Sequence, residues 1–243
     1  MQEQFIRTEL LIGSEALEKL NKSRIAVFGV GGVGGYVVEA LARSGVGRID
    51  LIDDDKVSIS NINRQIVATF DTIGKYKVDV MKERILSINP DCIVNTYNKF
   101  FLPENACEFP FEEWDYVVDA IDTIAAKIAI IIKCKELNIK SISAMGAGNK
   151  FNPQGFKVSD ISKTKMDPLS RVIRTELRKR NIKDVKVVYS EEKPIAPKNV
   201  VSENNNNETV AHQKRVTPGS NAYVPASCGL LIASEVINDI INN

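Results

Sequence analysis

Residues 25–45 read IAVFGVGGVGGYVVEALARSG, and this stretch decides the fold. The apolar run at 25–28 predicts a buried strand, which meets a glycine-rich turn with the spacing Gly29-x-Gly31-x-x-Gly34. A helical pattern with one apolar face follows over 32–44. Such a turn lets backbone N–H groups approach a phosphate at a helix N-terminus. The stretch therefore predicts a strand, a nucleotide-binding turn and a helix.

Strand-like and helix-like segments alternate beyond this turn. We expect strands at 48–52, 93–97, 116–121 and 140–144, and helices at 77–88 and 124–137. Alternation with short loops is typical of a doubly wound, mostly parallel sheet, in which ligands bind at the carboxyl ends of the strands. The predicted fold class is therefore α/β, with a Rossmann-like sheet.

The segments on either side of this core predict an N-terminal helical arm and a C-terminal extension. We expect a helical arm at 1–23, a nucleotide-binding core at 24–147 and an α/β extension at 148–243, all within one domain. In the extension, Asp167 and Pro168 are suited to open a helix, which a strand at 185–189 and a closing helix at 226–242 follow. The polar composition near 196–221 predicts a mobile loop.

Composition limits the classes of function. A formal net charge of +1 gives no global attraction for nucleic acid, so any such contact has to come from a local patch. The 4 cysteines contain no C-x-x-C pair, which argues against a structural zinc site, and they are too few for a disulfide scaffold. No apolar run reaches the roughly 20 residues of a membrane span. We expect a cytoplasmic protein with no zinc and no stable membrane insertion.

Several nucleotides bind at glycine turns, and the segment LIDDDKVSISNINRQ at 51–65 indicates which of them this turn binds. Asp53 ends the second strand about 20 residues after the turn, where dinucleotide folds place an acid for the ribose. Backbone N–H groups can neutralise the two phosphates of NAD, whereas a triphosphate needs cationic side chains and Mg²⁺. Arg64, Lys77 and the carboxylate of Asp122 would make that set. We favour ATP; a nicotinamide oxidoreductase is the alternative.

Five motifs together resemble the ubiquitin-activating-like adenylyltransferases: GVGGVGG, DDDKVSISNINRQ, GKYKVDVM, INPD and VVDAIDT. The resemblance implies an ATP site made of Gly29, Gly31, Gly32, Gly34, Asp53, Asp55, Asn61, Arg64 and Lys77. It implies that Asp122 helps to hold Mg²⁺. It also implies a homodimer in which Arg7 reaches into the site of the partner subunit. The implied catalytic residues are Arg7, Arg64, Lys77 and Asp122.

The second half resembles one family in that group, the tRNA threonylcarbamoyladenosine dehydratases. The resemblance rests on SAMGAGNKFNPQGFKVSDISKTKMDPLSRVIRTELRKR, VVYSEEKP and AYVPASCGLLIASEVINDI, and the chain departs from it at Asn152, where the family often has Asp. It implies a tRNA substrate whose threonyl carboxylate is activated by ATP, as an acyl-adenylate, with an acyl-phosphate as the alternative. Ring closure by the substrate's own carbamoyl group then removes water, so no protein nucleophile is needed.

Basic residues after Asp167 are the candidate tRNA contacts: Arg171, Arg174, Arg178, Lys179 and Arg180. A charged helix face is equally compatible with simple solvation. Two alternative functions stay open. One is activation of the C-terminal carboxylate of a ubiquitin-like or sulfur-carrier protein, against which the missing zinc cysteines count. The other is a nucleotide sensor without catalysis. The sequence neither supports nor excludes a sulfur-transfer partner or a monovalent cation near 146–149.

Overall fold

The computed structural model describes residues 3–196 and 217–242. The strands are β1 (Arg24–Phe28), β2 (Arg48–Ile52), β3 (Ile93–Tyr97), β4 (Tyr116–Asp119), β5 (Lys140–Ala144), β6 (Phe156–Asp160) and β7 (Lys186–Ser190). The α-helices are α1 (Ile6–Ile12), α2 (Ser14–Lys22), α3 (Gly34–Arg43), α4 (Lys77–Ile88), α5 (Ile124–Glu136), α6 (Pro168–Lys179) and α7 (Tyr223–Ile241).

All seven strands form one sheet in the order β3-β2-β1-β4-β5-β7-β6. The pairings are parallel except that of β6 with β7, which is antiparallel. The chain runs outward from β1 to β3 and then returns to β4 on the other side of β1. This reversal opens a crevice at the carboxyl ends of β1 and β4, where doubly wound sheets bind ligands. The predicted fold class is confirmed.

The central strands are buried on both faces. In β1, Ile25 and Val27 face one hydrophobic cluster together with α3, α4 and α7, whereas Ala26 and Phe28 face a second cluster. On that second face, α5 packs beside an aromatic group made of Phe101, Phe109, Phe111 and Trp114. Because β1 has apolar layers on both sides, its carboxyl end is a fixed point from which the glycine turn projects.

Helix α7 is long and apolar enough, by length and composition, to cross a membrane. It packs instead against α3 in the core, with Cys228, Ile232 and Val236 fully buried. The two helices approach so closely that a Cβ added to Gly229 would lie 2.4 Å from the backbone oxygen of Val33. We therefore interpret α7 as a core helix that closes one face of the sheet.

Most predicted elements agree with the structure to within a few residues. Helix α6 begins as expected, since the side chain of Asp167 accepts the N–H of Ser170 at 2.7 Å. Strand β6 was not predicted, and the strand expected at 185–189 lies one residue later. Strands β6 and β7 of the predicted extension continue the sheet of the core. The loop predicted near 196–221 lies outside the described residues over 197–216.

Asp239 near the end of α7 joins the helix to the sheet, and we expect its contribution to stability to depend on pH. It accepts hydrogen bonds at 2.7 Å from the hydroxyl of Tyr116 and from Lys186 Nζ. Partial burial alone would raise the pKa of Asp239, but these two partners hold it below the usual value of 3.8.

An Asp239→Asn variant should therefore lose about 1–2 kcal/mol of unfolding free energy near neutral pH. A carboxylate whose pKa is depressed on folding stabilises the folded state above its unfolded pKa, and this stabilisation disappears as the pH falls through the folded pKa. Urea titrations should accordingly show the two proteins converging below about pH 4. An equal difference at all pH values would contradict the assignment.

Candidate active site

A cleft of about 630 Å³ lies at the carboxyl ends of β1, β2 and β4. Nine residues predicted from the sequence line it: Gly29, Gly31, Gly32, Asp53, Asp55, Asn61, Arg64, Lys77 and Asp122. Gly34, the remaining member of the predicted nucleotide-binding set, is the first residue of α3. The fold therefore brings the predicted ATP and Mg²⁺ residues together in one cleft.

The glycine turn is shaped by two close backbone approaches. Gly29 has φ +86°, and a Cβ there would lie 2.8 Å from the backbone oxygen of Ala120. A Cβ on Gly34 would lie 1.8 Å from the backbone oxygen of Gly29, which no rearrangement of side chains could relieve. At Gly31, by contrast, the nearest atom to an added Cβ is 3.8 Å away. The turn therefore leaves open space where a phosphate could approach the backbone.

Alanine substitutions in this turn should separate folding from nucleotide binding. We expect Gly31→Ala to fold with nearly unchanged stability but to bind ATP at least 10-fold more weakly, because its methyl group would occupy the phosphate position. Gly34→Ala should lose several kcal/mol of unfolding free energy, since its Cβ clashes with backbone. Thermal unfolding and calorimetric ATP titration check both. Unchanged ATP affinity in Gly31→Ala would show that the phosphate does not bind at this turn.

Asp53 is held rigidly beneath the cleft. Its Oδ2 accepts the N–H of Val30 at 2.6 Å, and its Oδ1 accepts the N–H of Asp55 at 2.9 Å. Burial raises the pKa of Asp53, although the nearby Lys77 and the two N–H groups counteract this effect. The carboxylate is thus fixed at the end of β2 and connected to the glycine turn, a suitable position for contact with a ribose hydroxyl.

Two cations of the cleft have anchored side chains. Lys77, whose side chain is only 6% exposed, places Nζ 2.6 Å from Asp55 Oδ2 and 4.0 Å from Asp53 Oδ1. Arg64 uses Nη1 alone, donating to the backbone oxygen of Ser60 at 2.8 Å and to Asn63 Oδ1 at 2.9 Å. Its Nε and Nη2 make no hydrogen bond within the described residues. The guanidinium can therefore bind a phosphate without losing its support.

Asn61 shapes the loop that precedes Arg64, because its Oδ1 accepts the N–H of Ser58 at 3.1 Å. Several residues that line the cleft were not predicted as site residues, among them Lys56, Gln65, Lys99 and Phe100. Lys99 and Phe100 follow β3, so the rule that ligands bind at the carboxyl ends of strands could have found them. The neighbour of Arg64, Gln65, is buried, and its Oε1 has no hydrogen-bond partner within the described part of the chain.

Asp122 is the carboxylate best suited to a metal ion. It is exposed in the cleft, and its only hydrogen bond among the described residues is a long one from Thr123 Oγ1 at 3.4 Å. Asp53, Asp54 and Asp55 also lie close together, but Asp53 uses both oxygens on backbone N–H groups and Asp55 is paired with Lys77. Mg²⁺ is commonly bound by one or two carboxylates together with substrate phosphates, and Asp122 fits that role.

A buried ion pair supports the loop that carries Asp122. Lys127 and Asp119 are both about 1% exposed or less, and Lys127 Nζ lies 2.9 and 3.0 Å from the two carboxylate oxygens. The same Nζ donates to the backbone oxygen of Ile121 at 2.9 Å, and Ser143 donates its hydroxyl to Asp119. Residues 120–123 are thereby attached to both α5 and β5.

Some predicted residues lie outside the cleft of their own chain. Arg7 is exposed on α1 and does not line the cleft. Among the basic residues of α6, Arg174 donates to the backbone oxygen of Thr164, while Lys179 and Arg180 pair with Glu176. Only Arg171 and Arg178 are exposed and without such partners in the described ranges. The tRNA contact stays a prediction for all five residues, of which Lys179 and Arg180 are exposed as well as paired.

The buried cysteines are poor nucleophiles. Burial raises the pKa of Cys92, Cys134 and Cys228 to about 12 in each case, so these thiols stay protonated near neutral pH. Because the thiolate is the reactive form, none of the three is suited to form a thioester. Cys107 is exposed but lies in the 3₁₀ turn Pro103–Glu108, and it does not line the cleft.

Comparisons with known proteins show which family the chain belongs to. The profile of the ThiF family matches residues 5–243. The chain is 47% identical over 245 residues to the tRNA threonylcarbamoyladenosine dehydratase of Bacillus subtilis, which covers 100% of this chain and 96% of that protein. Two crystal structures of the Escherichia coli tRNA N6-threonylcarbamoyladenosine dehydratase, one with ATP and one with AMP, each superpose with a TM-score of 0.87. They are 33% and 34% identical, and each alignment covers 99% of this chain and 94% of that one. The chain belongs to the ThiF family.

Proposed function

We propose that this protein is an ATP-dependent enzyme that dehydrates threonylcarbamoyladenosine in tRNA to its cyclic form. The observation that carries the proposal is the cleft itself, which combines an open glycine turn, a carboxylate placed for the ribose, two anchored cations and an exposed carboxylate. End-to-end similarity to dehydratases, including one solved with ATP, supports the same conclusion. A nicotinamide dinucleotide has no third phosphate that would need the positive charges of Arg64 and Lys77.

Each residue of the cleft has a specific role in this proposal. The turn at 29–34 binds the phosphates, and Asp53 accepts hydrogen bonds from the ribose hydroxyls. Arg64 and Lys77 neutralise the triphosphate, and on binding Lys77 exchanges its pairing with Asp55 for a phosphate oxygen. Asp122 would hold Mg²⁺, which supplies further positive charge for the leaving pyrophosphate.

The reaction needs correct positioning of the substrate, and it needs no covalent bond to a protein side chain. A threonyl carboxylate oxygen attacks the α-phosphorus of ATP, and pyrophosphate leaves. The carbamoyl group of the same substrate then attacks the activated carbonyl, and AMP leaves with the carboxylate oxygen. Ring closure also releases a proton from the carbamoyl group. Together with the oxygen that leaves in AMP, this accounts for the loss of one water from the nucleoside. Since the nucleophile and the electrophile belong to one molecule, holding them in a reactive geometry provides much of the acceleration.

We favour an acyl-adenylate over an acyl-phosphate as the intermediate. Arg64, Lys77 and Asp122 are suited to stabilise pyrophosphate as a leaving group, and the related E. coli enzyme has been solved with AMP. The test is the nucleotide product. We expect AMP and pyrophosphate to form in equal amounts with threonylcarbamoyladenosine-containing tRNA. Formation of ADP and phosphate would contradict the adenylate route.

Activation of a carrier protein is the competing function. Pyrophosphate exchange into ATP discriminates between the two, because it reports reversible adenylation of the carboxylate acceptor. We expect exchange with tRNA that carries threonylcarbamoyladenosine and none with tRNA that lacks the modification. Exchange driven instead by a small protein with a C-terminal Gly-Gly would support the competing function.

A homodimer in which Arg7 completes the partner's cleft is also part of the proposal, together with a cytoplasmic location. Support comes from α1, where Leu10 and Leu11 next to Arg7 are 83% and 85% exposed. Exposed apolar residues of this kind are typical of a contact surface. A sulfur-transfer partner and a monovalent cation have no comparable support.

Mixing two inactive variants should test the dimer. The Arg7→Ala subunit lacks the arginine that would enter its partner's cleft. The Asp122→Asn subunit lacks the carboxylate that would hold the metal in its own cleft. In a mixed dimer, the intact cleft of the Arg7→Ala subunit receives Arg7 from the other subunit. We therefore expect the mixture, after subunit exchange, to recover about a quarter of wild-type activity on a random-pairing basis. Absence of recovery, with mixed dimers demonstrated by differential tagging, would contradict Arg7 acting across the dimer.

A further inference from the structure

An exposed aromatic pair lies beside the cleft and has no role in the site described above. The ring centroids of Phe151 and Tyr223 are 5.7 Å apart, and the rings cross at 87°. Their exposed fractions are 66% and 41%, so both rings are open to solvent. Phe151 lies in the loop between β5 and β6, and Tyr223 is the first residue of α7.

Both rings stand on well-anchored backbone. The Glu192 carboxylate accepts the N–H groups of Phe151 at 2.9 Å and Asn152 at 3.0 Å. Asn149 donates its N–H to the backbone oxygen of Gly219 at 2.7 Å, and Gly219 donates its N–H to Asn149 Oδ1 at 2.6 Å. The loop of Phe151 and the segment that leads into α7 are thus tied to each other, so the pair has a fixed arrangement.

The same segment is connected to the phosphate end of the cleft. Asn63 donates from Nδ2 to the backbone oxygen of Ser220 at 3.1 Å, and Arg64 donates to Asn63 Oδ1 at 2.9 Å. Pro225, in the first turn of α7, would lie 3.3 Å from a Cβ on Gly32. The segment that carries Tyr223 therefore adjoins the cleft on the side of Arg64, the cation that we assign to the triphosphate, although neither ring lines the cleft itself.

We propose that Phe151 and Tyr223 form a stacking platform for the unpaired purine that carries the reacting carboxylate. This inference rests on the proposed function. Only a few bonds separate the purine from the carboxylate, so the purine has to lie at the rim when the carboxylate reaches the α-phosphate. Proteins bind unpaired bases by stacking them on exposed aromatic side chains, and an edge-to-face pair leaves ring faces free to do so.

The occupant is a nucleobase rather than a hydrophobic peptide because the surroundings are polar. Glu192 accepts the backbone N–H groups of Phe151 and Asn152, and Asn221 donates from Nδ2 to the backbone oxygen of Lys150, so polar groups hold the backbone on which the rings stand. A neutral base tolerates this environment. The pair thus contributes to recognition of the base, and the cleft contributes to recognition of the nucleotide.

Alanine variants test the platform. For Phe151→Ala and for Tyr223→Ala we expect the KM for threonylcarbamoyladenosine-containing tRNA to rise roughly 5- to 100-fold. ATP affinity should stay within twofold of wild type, which also shows that the fold is intact. Phe151→Trp should keep a near-normal KM, since stacking needs only an aromatic face. The matched control is Phe70→Ala, which removes a ring that is 76% exposed and does not line the cleft.

The platform is overturned if both alanine variants keep the KM for tRNA within twofold, or if Phe151→Trp is as impaired as Phe151→Ala. Failure of the proposed function has a different signature. In that case the wild-type protein would not convert the modified tRNA at all, and the inference about the purine would fall with it.

Discussion

An Asp122→Asn variant should bind ATP but lose roughly 10²- to 10³-fold in kcat for dehydration. The amide keeps the size of the side chain, and Asp122 makes only one long hydrogen bond within the described residues, so the fold should be unaffected. What is lost is the negative charge that would hold Mg²⁺ beside the leaving pyrophosphate. Single-turnover measurements of AMP formation at saturating ATP and tRNA check this expectation.

A matched control for Asp122→Asn is Asp184→Asn. Asp184 is exposed, does not line the cleft, and has φ +57°, a conformation that Asn adopts well. Raising the Mg²⁺ concentration should partly restore the Asp122→Asn rate, because a weakened ion site fills at higher concentration. A kcat within twofold of wild type at low Mg²⁺ would show that Asp122 does not support the metal.

A Lys127→Met variant should lose about 3–5 kcal/mol of unfolding free energy. The substitution leaves Asp119 buried and charged without its cation, although methionine fills the space well. Adding Asp119→Asn should recover part of the loss, because the unpaired charge is then removed. Urea unfolding of the two single variants and the double variant measures the coupling. The control is Lys133→Met on the same helix, which removes a partly exposed lysine.

Lys127 should also influence the reaction through the loop that carries Asp122. Its hydrogen bond to the backbone oxygen of Ile121 fixes that loop, so a Lys127→Arg variant that folds should show a lower kcat with little change in ATP affinity. A loss of stability below 1 kcal/mol in Lys127→Met would contradict the role of the buried pair.

The periodic parts of the fold could be predicted from the sequence, whereas the irregular parts could not. Strands β2, β3 and β5 and helix α4 have the predicted bounds, since each is a regular segment with a repeating apolar pattern. The aromatic layer of Phe101, Phe109, Phe111 and Trp114 lies in and around two short 3₁₀ turns and shows no sequence period. Strand β6 was missed because it lies at the sheet edge, where half-exposed residues give no apolar run.

The candidate site was predictable in membership but not in geometry. The glycine turn, the acids at strand ends and the basic residues could be recognised from their spacing in the sequence. Nine of the predicted site residues line one cleft. The pairing of Lys77 with Asp55 and the support of Arg64 by Asn63 depend on how loops fold back, which spacing does not encode. The link from Asn63 to Ser220 joins positions 157 residues apart, so only the folded chain reveals the connection between the cleft and the aromatic pair.

The central claim is tested most directly by the mass of the modified nucleoside. The purified protein is incubated with ATP, Mg²⁺ and tRNA that carries threonylcarbamoyladenosine, and the tRNA is digested gently and analysed by mass spectrometry. We predict a nucleoside lighter by one water, which forms only with ATP and is strongly reduced with Asp122→Asn. An unchanged nucleoside, from protein that still binds ATP, would contradict the dehydratase function.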